Sequence, residues 1–270
     1  MGDGPFGPVL NGTMVIVFYD YRPNQIAGYL FMALFGLASL AHLVYIVRFK
    51  AWMFIPFIIG GMSETFGYYG RALSYHHPAR LGPWIQQNLL ILVAAPLLTA
   101  TIYISLGKVI NALQANSQSL ISPRWMTKIY ILIDLVCLLS QLAGTVMPAS
   151  GDTRVIELSR KVIFGGLLVQ LAALLLFCYM TWYTSREISC AEAKIFAADA
   201  GVHWKNHFRT ILLAASLVLI RSLVRAIEYG QGEDGFIISH ELFIYLFDAA
   251  PMWFIMFAFL LVHPSRLLRD

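Results

Sequence analysis

Hydrophobic residues in this chain form long continuous blocks that are separated by short polar segments. Seven blocks approach the roughly 20 apolar residues that a helix needs to cross the hydrocarbon core of a bilayer. Apolar and polar residues do not alternate within the blocks, which favours helices over a transmembrane β-barrel. The pattern predicts membrane-spanning helices at about 26–47, 52–72, 84–107, 129–147, 162–183, 210–230 and 241–262.

Most of the connections between these blocks are short, as a compact helix bundle requires. Two are longer, at 108–128 and 184–209, and within the second the segment 193–208 fits a short surface helix and an ordinary loop equally well. No linker rich in Pro, Gly or Ser divides the chain. We therefore predict an all-α membrane protein with an N-terminal segment at 1–25, one seven-helix domain at 26–264 and a short tail at 265–270.

The distribution of Lys and Arg predicts the orientation, because cytoplasmic loops are enriched in basic residues. With the N-terminus outside, the inner loops and tail hold eleven basic residues and the outer segments hold six, leaving out Arg221 and Arg225 within a span. The sequon Asn11-Gly12-Thr13 would then face the lumen. We expect an integral, multi-pass protein of the plasma membrane with an extracellular N-terminus and a cytoplasmic C-terminus.

Composition narrows the class of protein further. The chain is 59% hydrophobic and 13% charged, against about 45–50% and about 25% in soluble domains. The net charge of +4 does not indicate nucleic-acid binding, because the basic residues lie in short loops where topology already explains them. The three cysteines show no spacing typical of a disulfide framework or a metal site. We predict no cofactor and no metal.

Polar residues inside the predicted spans are the most informative feature. Residues seven apart lie on one face of a helix, and a lone charge at the centre of a membrane helix costs roughly 2.5–3.5 kcal/mol on insertion scales. We therefore expect these polar faces to point toward one another or toward a wet cavity. The candidate substrate-binding residues are Glu64, Arg71, Asp134, Gln141, Gln170, Arg221, Arg225, Glu228, Glu241, Tyr245 and Asp248.

The charges in these spans suggest both a pairing scheme and a ligand. Arg225 and Glu228 have the i, i+3 spacing of an ion pair within one helix, and Arg71 and Arg221 are expected to meet acids on neighbouring helices. Five acids oppose three arginines in the spans. The spare acids would suit an amphipathic cation such as a long-chain amine, or proton coupling. The alternative is that buried ion pairs only fix the register of the helices.

Six short motifs, taken in order, resemble the fungal RTA-like family, lipid-translocating exporters named for resistance to aminocholesterol. The resemblance covers about residues 21–264. The motifs are Glu64-Thr-Phe-Gly-Tyr-Tyr-Gly-Arg71, Gln86 followed by Ala95-Pro96 and Tyr103, Asp134…Gln141-Leu-Ala-Gly144, Gly166…Gln170, Arg221…Arg225-Ala-Ile-Glu228 and Asp248…His263-Pro264.

The resemblance implies a seven-span fungal membrane protein with an outside N-terminus. It further implies a role in resistance to amphipathic toxins and in the movement or asymmetry of lipids, including sphingoid long-chain bases. Some relatives are linked to porphyrin transport. The family has no single settled mechanism, and a shared fold does not fix function.

Three functional hypotheses remain open, and the first is preferred. The protein is a transporter of amphipathic lipids, a seven-helix receptor or sensor, or an intramembrane lipid-modifying enzyme. Against a receptor, span three lacks Asp-Arg-Tyr at its inner end and span seven lacks both Asn-Pro-x-x-Tyr and a lysine. Against an enzyme, Ser63-Glu64 stands in no Gly-x-Ser-x-Gly motif, and no His-Glu-x-x-His motif is present.

Overall fold

The computed structural model describes residues 6–10, 13–16, 22–76, 80–113, 122–146, 153–195, 204–231, 235–237 and 240–262. Within these residues the chain forms a bundle of seven helices, and a short 3-10 turn at Trp52–Phe54 leads into the second. The last helix begins as a π-helical segment, Ile244–Ala249. The helices are α1 (Gln25–Phe49), α2 (Ile55–Ser74), α3 (Leu81–Ala112), α4 (Pro123–Val146), α5 (Thr153–Ile195), α6 (Trp204–Gln231) and α7 (Ala250–Leu261).

Six of these helices are long and apolar enough to cross a membrane, the last of them counted from Ile244 to Leu261. Large hydrophobic side chains such as Leu37, Leu132 and Phe254 lie exposed on the outside of the bundle. Contact with the hydrocarbon core of a membrane explains this surface, since a soluble monomer rarely exposes extended apolar patches. The chain is therefore an integral membrane protein built of helices. The helix α2 does not reach the same apolarity, so a seventh crossing stays a prediction.

The helix α2 buries one face in the bundle and packs most extensively against α1 and α3. Glycines permit this close approach. A Cβ built on Gly60 would lie 3.1 Å from the carbonyl oxygen of Ala94, and one on Gly67 would lie 2.7 Å from Cγ1 of Ile91. On the other side, Gly28 of α1 lies directly against Ala72. Because Glu64 and Arg71 lie on the buried face of α2, these charged residues need not contact lipid.

At the end of the bundle where α1 ends, an aromatic core joins α1, α2 and α7. His42 is fully buried there, and its Nε2 lies 3.0 Å from the carbonyl oxygen of Met256. The imidazole stacks on Phe54 and meets Phe57 edge-on, with ring centroids 5.9 and 4.8 Å apart. This contact fixes α7 against α1. Lys50 then ends α1 in the left-handed region, with φ of 52°.

The structure differs from the predicted elements in two respects. An antiparallel pair of strands, Phe6–Leu10 and Thr13–Ile16, lies in the N-terminal segment, so an all-α description is incomplete. Asn11 and Gly12 of the sequon lie outside the described residues.

The second difference is that the prediction of a long connection at 184–209 was wrong. The helix α5 continues to Ile195 and α6 begins at Trp204, so neither a separate surface helix nor a loop fills the described part of 193–208. The 43 residues of α5 span about 65 Å, roughly twice the hydrocarbon thickness. A hydropathy pattern detects only the apolar part of such a helix, because its polar turns resemble a loop.

Candidate functional site

One group of polar side chains joins the start of α1, the end of α2 and the start of the last helix. We call Arg71, Glu241, Tyr245 and the backbone of Asn24 the Arg71 cluster. Nη2 of Arg71 lies 3.0 Å from Oε1 of Glu241, and Nε donates to the Tyr245 hydroxyl oxygen at 3.0 Å. The Tyr245 hydroxyl donates to the same carboxylate oxygen at 2.9 Å, as does the backbone N–H of Asn24 at 2.7 Å.

Aromatic rings cover this cluster on the bundle side. Phe31 stacks on Tyr245 with ring centroids 5.4 Å apart, and Tyr68 lies 6.2 Å from the same ring. The guanidinium of Arg71 also lies 5.2 Å from the centroid of the Tyr245 ring. The arginine is thus held by an ion pair, a hydrogen bond and an aromatic face at once. Such a network rigidifies the contact between α2 and the last helix.

A second group lies deeper, between α6 and the last helix. We call Arg221, Arg225, Glu228 and Asp248 the Arg221 cluster. Nε of Arg221 forms a close ion pair with Oδ1 of Asp248, and Nε of Arg225 lies 3.8 Å from the same oxygen. Nη1 of Arg225 lies 3.6 Å from Oε2 of Glu228, the i, i+3 pair expected from the sequence. The Tyr68 hydroxyl of α2 donates to Oδ2 of Asp248 at 3.3 Å.

The π-helical segment at Ile244–Ala249 contributes one residue to each cluster, Tyr245 and Asp248. Its wide turn is visible at Ala250, whose N–H donates to the carbonyl oxygen of Tyr245, five residues back. Pro251 follows and has no N–H with which to continue a regular ladder. Single π turns inside helices often mark functional positions.

Glu64 lies on the buried face of α2, and its side chain is fully enclosed. Neither carboxylate oxygen has a hydrogen-bond partner among the described residues. The charged groups that act on it electrostatically are Asp248, Arg221 and Arg225. Glu64 is therefore a neighbour of the Arg221 cluster without a direct bond to it.

A third group lies between α3, α4 and α5. Oδ2 of Asp134 accepts hydrogen bonds from the hydroxyls of Thr99 at 2.9 Å and Tyr103 at 3.0 Å. Nε2 of Gln141 donates to Oε1 of Gln170 at 3.3 Å. Asp134 is buried and forms no ion pair with the described arginines and lysines. Five acids oppose three arginines in the predicted spans, and the two acids without a partner among the described arginines are thus Glu64 and Asp134.

A small cavity separates the third group from the Arg221 cluster. About 20 Å³ is open to the centres of water molecules, which is room for about one water. Its wall is both polar and apolar, and Pro96 on α3 contributes to it. The lining residues are Leu92, Ala95, Pro96, Leu138, Gln141, Leu167, Gln170, Arg221, Ser222, Arg225 and Tyr229.

The eleven predicted site residues therefore do not form one continuous polar stripe. They divide into the Arg71 cluster, the Arg221 cluster with Glu64, and the group around Asp134. Within the described part of the chain, no set of His, Cys, Asp and Glu could hold a metal ion.

Sequence reasoning gave no role to Tyr68, Thr99, Ser222 or Tyr229. Helical spacing holds a signal for two of them, since Tyr68 lies four residues after Glu64 and Tyr229 four after Arg225. Residues four apart share a helix face.

Comparison with known proteins identifies the family of this chain. The sequence profile described as "RTA1 like protein" matches residues 57–270, most of the chain. The chain belongs to the RTA1-like family. The resemblance seen in the motifs of α2, α4 and α6 is therefore confirmed. No solved structure matches the chain.

Several yeast members of this family are similar to the chain. Protoporphyrin uptake protein 1 of Saccharomyces cerevisiae is 38% identical over 211 residues, 76% of this chain and 67% of that protein. Protein RTM1 is 33% identical, with 74% of this chain and 63% of that protein covered. Sphingoid long-chain base transporter RSB1 is 25% identical over 90% of this chain and 72% of that protein. The chain spans about two thirds of the length of the first two relatives.

Proposed function

We propose that this RTA1-like protein translocates amphipathic lipids, such as sphingoid long-chain bases, across the plasma membrane and so contributes to lipid asymmetry and toxin resistance. The observation that supports this most is a charged cluster beside a cavity with polar and apolar lining residues, buried in a bundle with an apolar outside. Intramembrane ionisable groups commonly mark substrate pathways. The polar head group of such a lipid would contact the polar residues inside the bundle while its hydrocarbon chain stays in the bilayer.

The names of the relatives support the same class of substrate. A sphingoid base and a protoporphyrin both join a polar group to a large apolar body, and the names of two relatives refer to these molecules. The predicted substrate contacts remain Glu64, the Arg71 and Arg221 clusters, and the group around Asp134.

The translocator would span the membrane seven times with the N-terminus outside. Two features of α2 support a crossing by this helix. Its 20 residues extend about 30 Å, the thickness of the hydrocarbon core. Its outward side chains form a stripe of apolar and aromatic residues, while its polar residues face inward. The outward residues are Ile55, Ile59, Met62, Phe66 and Tyr69.

Cysteine labelling would test the crossing by α2. In a chain whose native Cys137, Cys178 and Cys190 are replaced by alanine, Lys50→Cys and His76→Cys flank α2 on its two ends. A membrane-impermeant maleimide added to intact cells should label position 76 and leave position 50 unlabelled until the membrane is permeabilised. Labelling of both positions from one side would show that α2 does not cross.

Reconstitution would test translocation itself. Vesicles containing the purified full chain should move a labelled long-chain base or a fluorescent porphyrin between leaflets faster than empty vesicles of the same composition. The charge-balanced variant Arg221→Gln/Asp248→Asn, which removes both charges of one buried pair, serves as a folded comparison and should be slower. Rates equal to those of empty vesicles across several lipids would contradict the proposal.

A further inference from the structure

The cavity between α3, α4, α5 and α6 has an unusual balance of charge. Arg221 and Arg225 are the charged residues in its lining, and the lining includes no Asp or Glu among the described residues. Gln141, Gln170 and the Tyr229 side chain add further hydrogen-bonding groups. The lining is therefore rich in hydrogen-bond donors and its charged members are both cationic, although the chain as a whole holds more acids than arginines within its predicted spans.

Arg221 has hydrogen-bonding capacity left over. Its side chain is only 7% exposed, and one edge of the guanidinium meets Asp248. Nη2 is buried and has no hydrogen-bond partner among the described residues. A guanidinium offers five N–H donors in a planar fork, and a buried donor without an acceptor costs about 1–3 kcal/mol. Nη2 of Arg221 is thus a donor that can bind an acceptor placed in the cavity.

We infer that this cavity binds the oxyanion of an amphipathic molecule, a carboxylate or a phosphate, with the guanidinium of Arg221 as the main donor. Carboxylates and phosphates match the fork of an arginine and form short, charge-assisted hydrogen bonds with it. The apolar side chains of Leu92, Leu138 and Leu167 on the same wall suit the hydrocarbon part next to the head group. This inference rests on the proposed translocation of amphipathic lipids and, within that function, assigns this cavity to amphiphiles that carry an oxyanion rather than to an unmodified long-chain base.

An ammonium head group fits the cavity less well. Glu64, the acid with no hydrogen bond among the described residues, is fully buried and does not line the cavity. Asp248 and Glu228 are already paired with Arg221 and Arg225. A cation in the cavity would therefore meet two guanidinium groups before any carboxylate.

The size of the cavity sets a limit on what enters. Room for about one water accommodates a single oxygen of the head group. Arg225 and Tyr229 are only partly buried, whereas Arg221, Gln141 and Gln170 are buried. Leu92, Pro96 and Leu138 of the lining are also partly buried. A whole phosphate requires the cavity to widen.

Equilibrium binding to the full chain in neutral detergent micelles would test the inference. Four amphiphiles with the same oleoyl or oleyl chain isolate the head group: oleate, oleoyl lysophosphatidate, oleylamine and monoolein. We expect at least one of the two oxyanions to bind about tenfold more tightly than both oleylamine and monoolein, the gain of one charged hydrogen bond. Preference for oleate over lysophosphatidate would identify a carboxylate, and the reverse a phosphate.

The charge-balanced variant Arg221→Gln/Asp248→Asn should lose this preference, because the guanidinium is gone and the carboxylate that paired with it is neutralised as well. Arg48→Gln, at an exposed arginine near the end of α1, should keep it. Thermal unfolding of each variant separates a loss of binding from a loss of fold. Tightest binding of oleylamine, or an oxyanion preference that the folded variant retains, would overturn the inference.

The binding and translocation assays fail separately. If vesicles move several amphiphiles at equal rates and no head group is preferred in micelles, the oxyanion site is wrong and the translocator stands. If the oxyanion preference depends on Arg221 but no amphiphile moves in vesicles, the site stands and the translocator is wrong.

Discussion

Arg71 and Arg221 are both buried arginines that meet a carboxylate near the start of the last helix, yet their surroundings differ. Arg71 donates to Tyr245 and Glu241 with good hydrogen-bond geometry. Arg221 forms one close ion pair, keeps a buried Nη2 without a hydrogen-bond partner among the described residues, and borders a cavity. The comparison indicates that burial alone does not identify function. The arginine with unused donors beside open space is the one suited to a ligand.

The helices are packed more tightly around Arg71 than around Arg221. On the side of Arg71, glycines of α2 lie against α3 so closely that a Cβ on Gly67 would overlap Ile91. On the side of Arg221, space for a water remains between the helices. We therefore interpret the region of Arg71 as the more tightly packed part of the bundle and the region of Arg221 as the part with room for a ligand.

The largest expected effect comes from breaking the Arg71 cluster. Arg71→Leu leaves the Glu241 carboxylate without its cation, and breaking a buried pair from one side costs about 3–5 kcal/mol. We expect a large drop in the thermal midpoint in detergent, partly restored by adding Glu241→Leu. The exposed Arg48→Leu serves as the control. A midpoint equal to that of the unaltered protein would show that the cluster is not structural.

The second-largest effect is expected from a substitution that disturbs the close packing of α2 against α3. Gly67→Val would force a branched side chain to within 2.7 Å of Ile91, and overpacking typically costs about 1–3 kcal/mol. Gly165→Val is the matched control, because a Cβ at Gly165 meets no atom within 4 Å and valine has the better helix propensity. Thermal unfolding should separate the two variants, and equal midpoints would contradict the described packing of α2.

Filling the cavity should affect activity more than stability. Ser222 is buried and lines the cavity, so Ser222→Val adds bulk where a head group would lie. We expect translocation in vesicles to fall about tenfold, equal to about 1.4 kcal/mol in the barrier, while the thermal midpoint stays nearly constant. Ser63→Val, on α2 and away from the cavity lining, is the control. An unchanged rate would argue against the cavity as the pathway.

The smallest effect is expected at the contact between the two regions. Tyr68→Phe removes the hydroxyl that donates to Asp248 at 3.3 Å, and a hydrogen bond of this kind contributes about 0.5–1.5 kcal/mol. Tyr69→Phe is the matched control, since Tyr69 is the next residue of α2 and its side chain is exposed on the outside of the helix. Equal midpoints for the two variants would indicate that the bond from Tyr68 contributes nothing.

Local spacing explains which parts of the site were predictable. The pairing of Arg225 with Glu228 follows from their spacing of three residues along one helix. The alignment of Glu241, Tyr245 and Asp248 on one helix face follows from their spacings of four and seven residues. The partner of Arg71 was not predictable from spacing, because Glu241 lies 170 residues away and any of several acids had a suitable depth. Thr99 escaped notice because a threonine in an apolar block looks like any other tolerated residue until Asp134 is opposite it.

The same division applies to the helices. The apolar blocks were sufficient to predict the bundle, and the polar residues of α2 explain why its hydropathy is lower than that of the other helices. Glu64 and Arg71 lie on the buried face of this helix. The length of α5 could not be predicted, because polar turns beyond the bilayer have no hydrophobic period to reveal them.

The sequence by itself determined that the chain is a helical membrane protein of the RTA1-like family with ionisable groups at membrane depth. Hydrophobic length suffices for the membrane helices, because the bilayer imposes it on the chain directly. The order of the motifs suffices for the family. Only the tertiary structure decided which charges meet, which acids stay apart and where space remains. These outcomes depend on helix packing over more than a hundred residues, so the arginine beside the cavity became visible only once α3, α4, α5 and α6 were assembled around it.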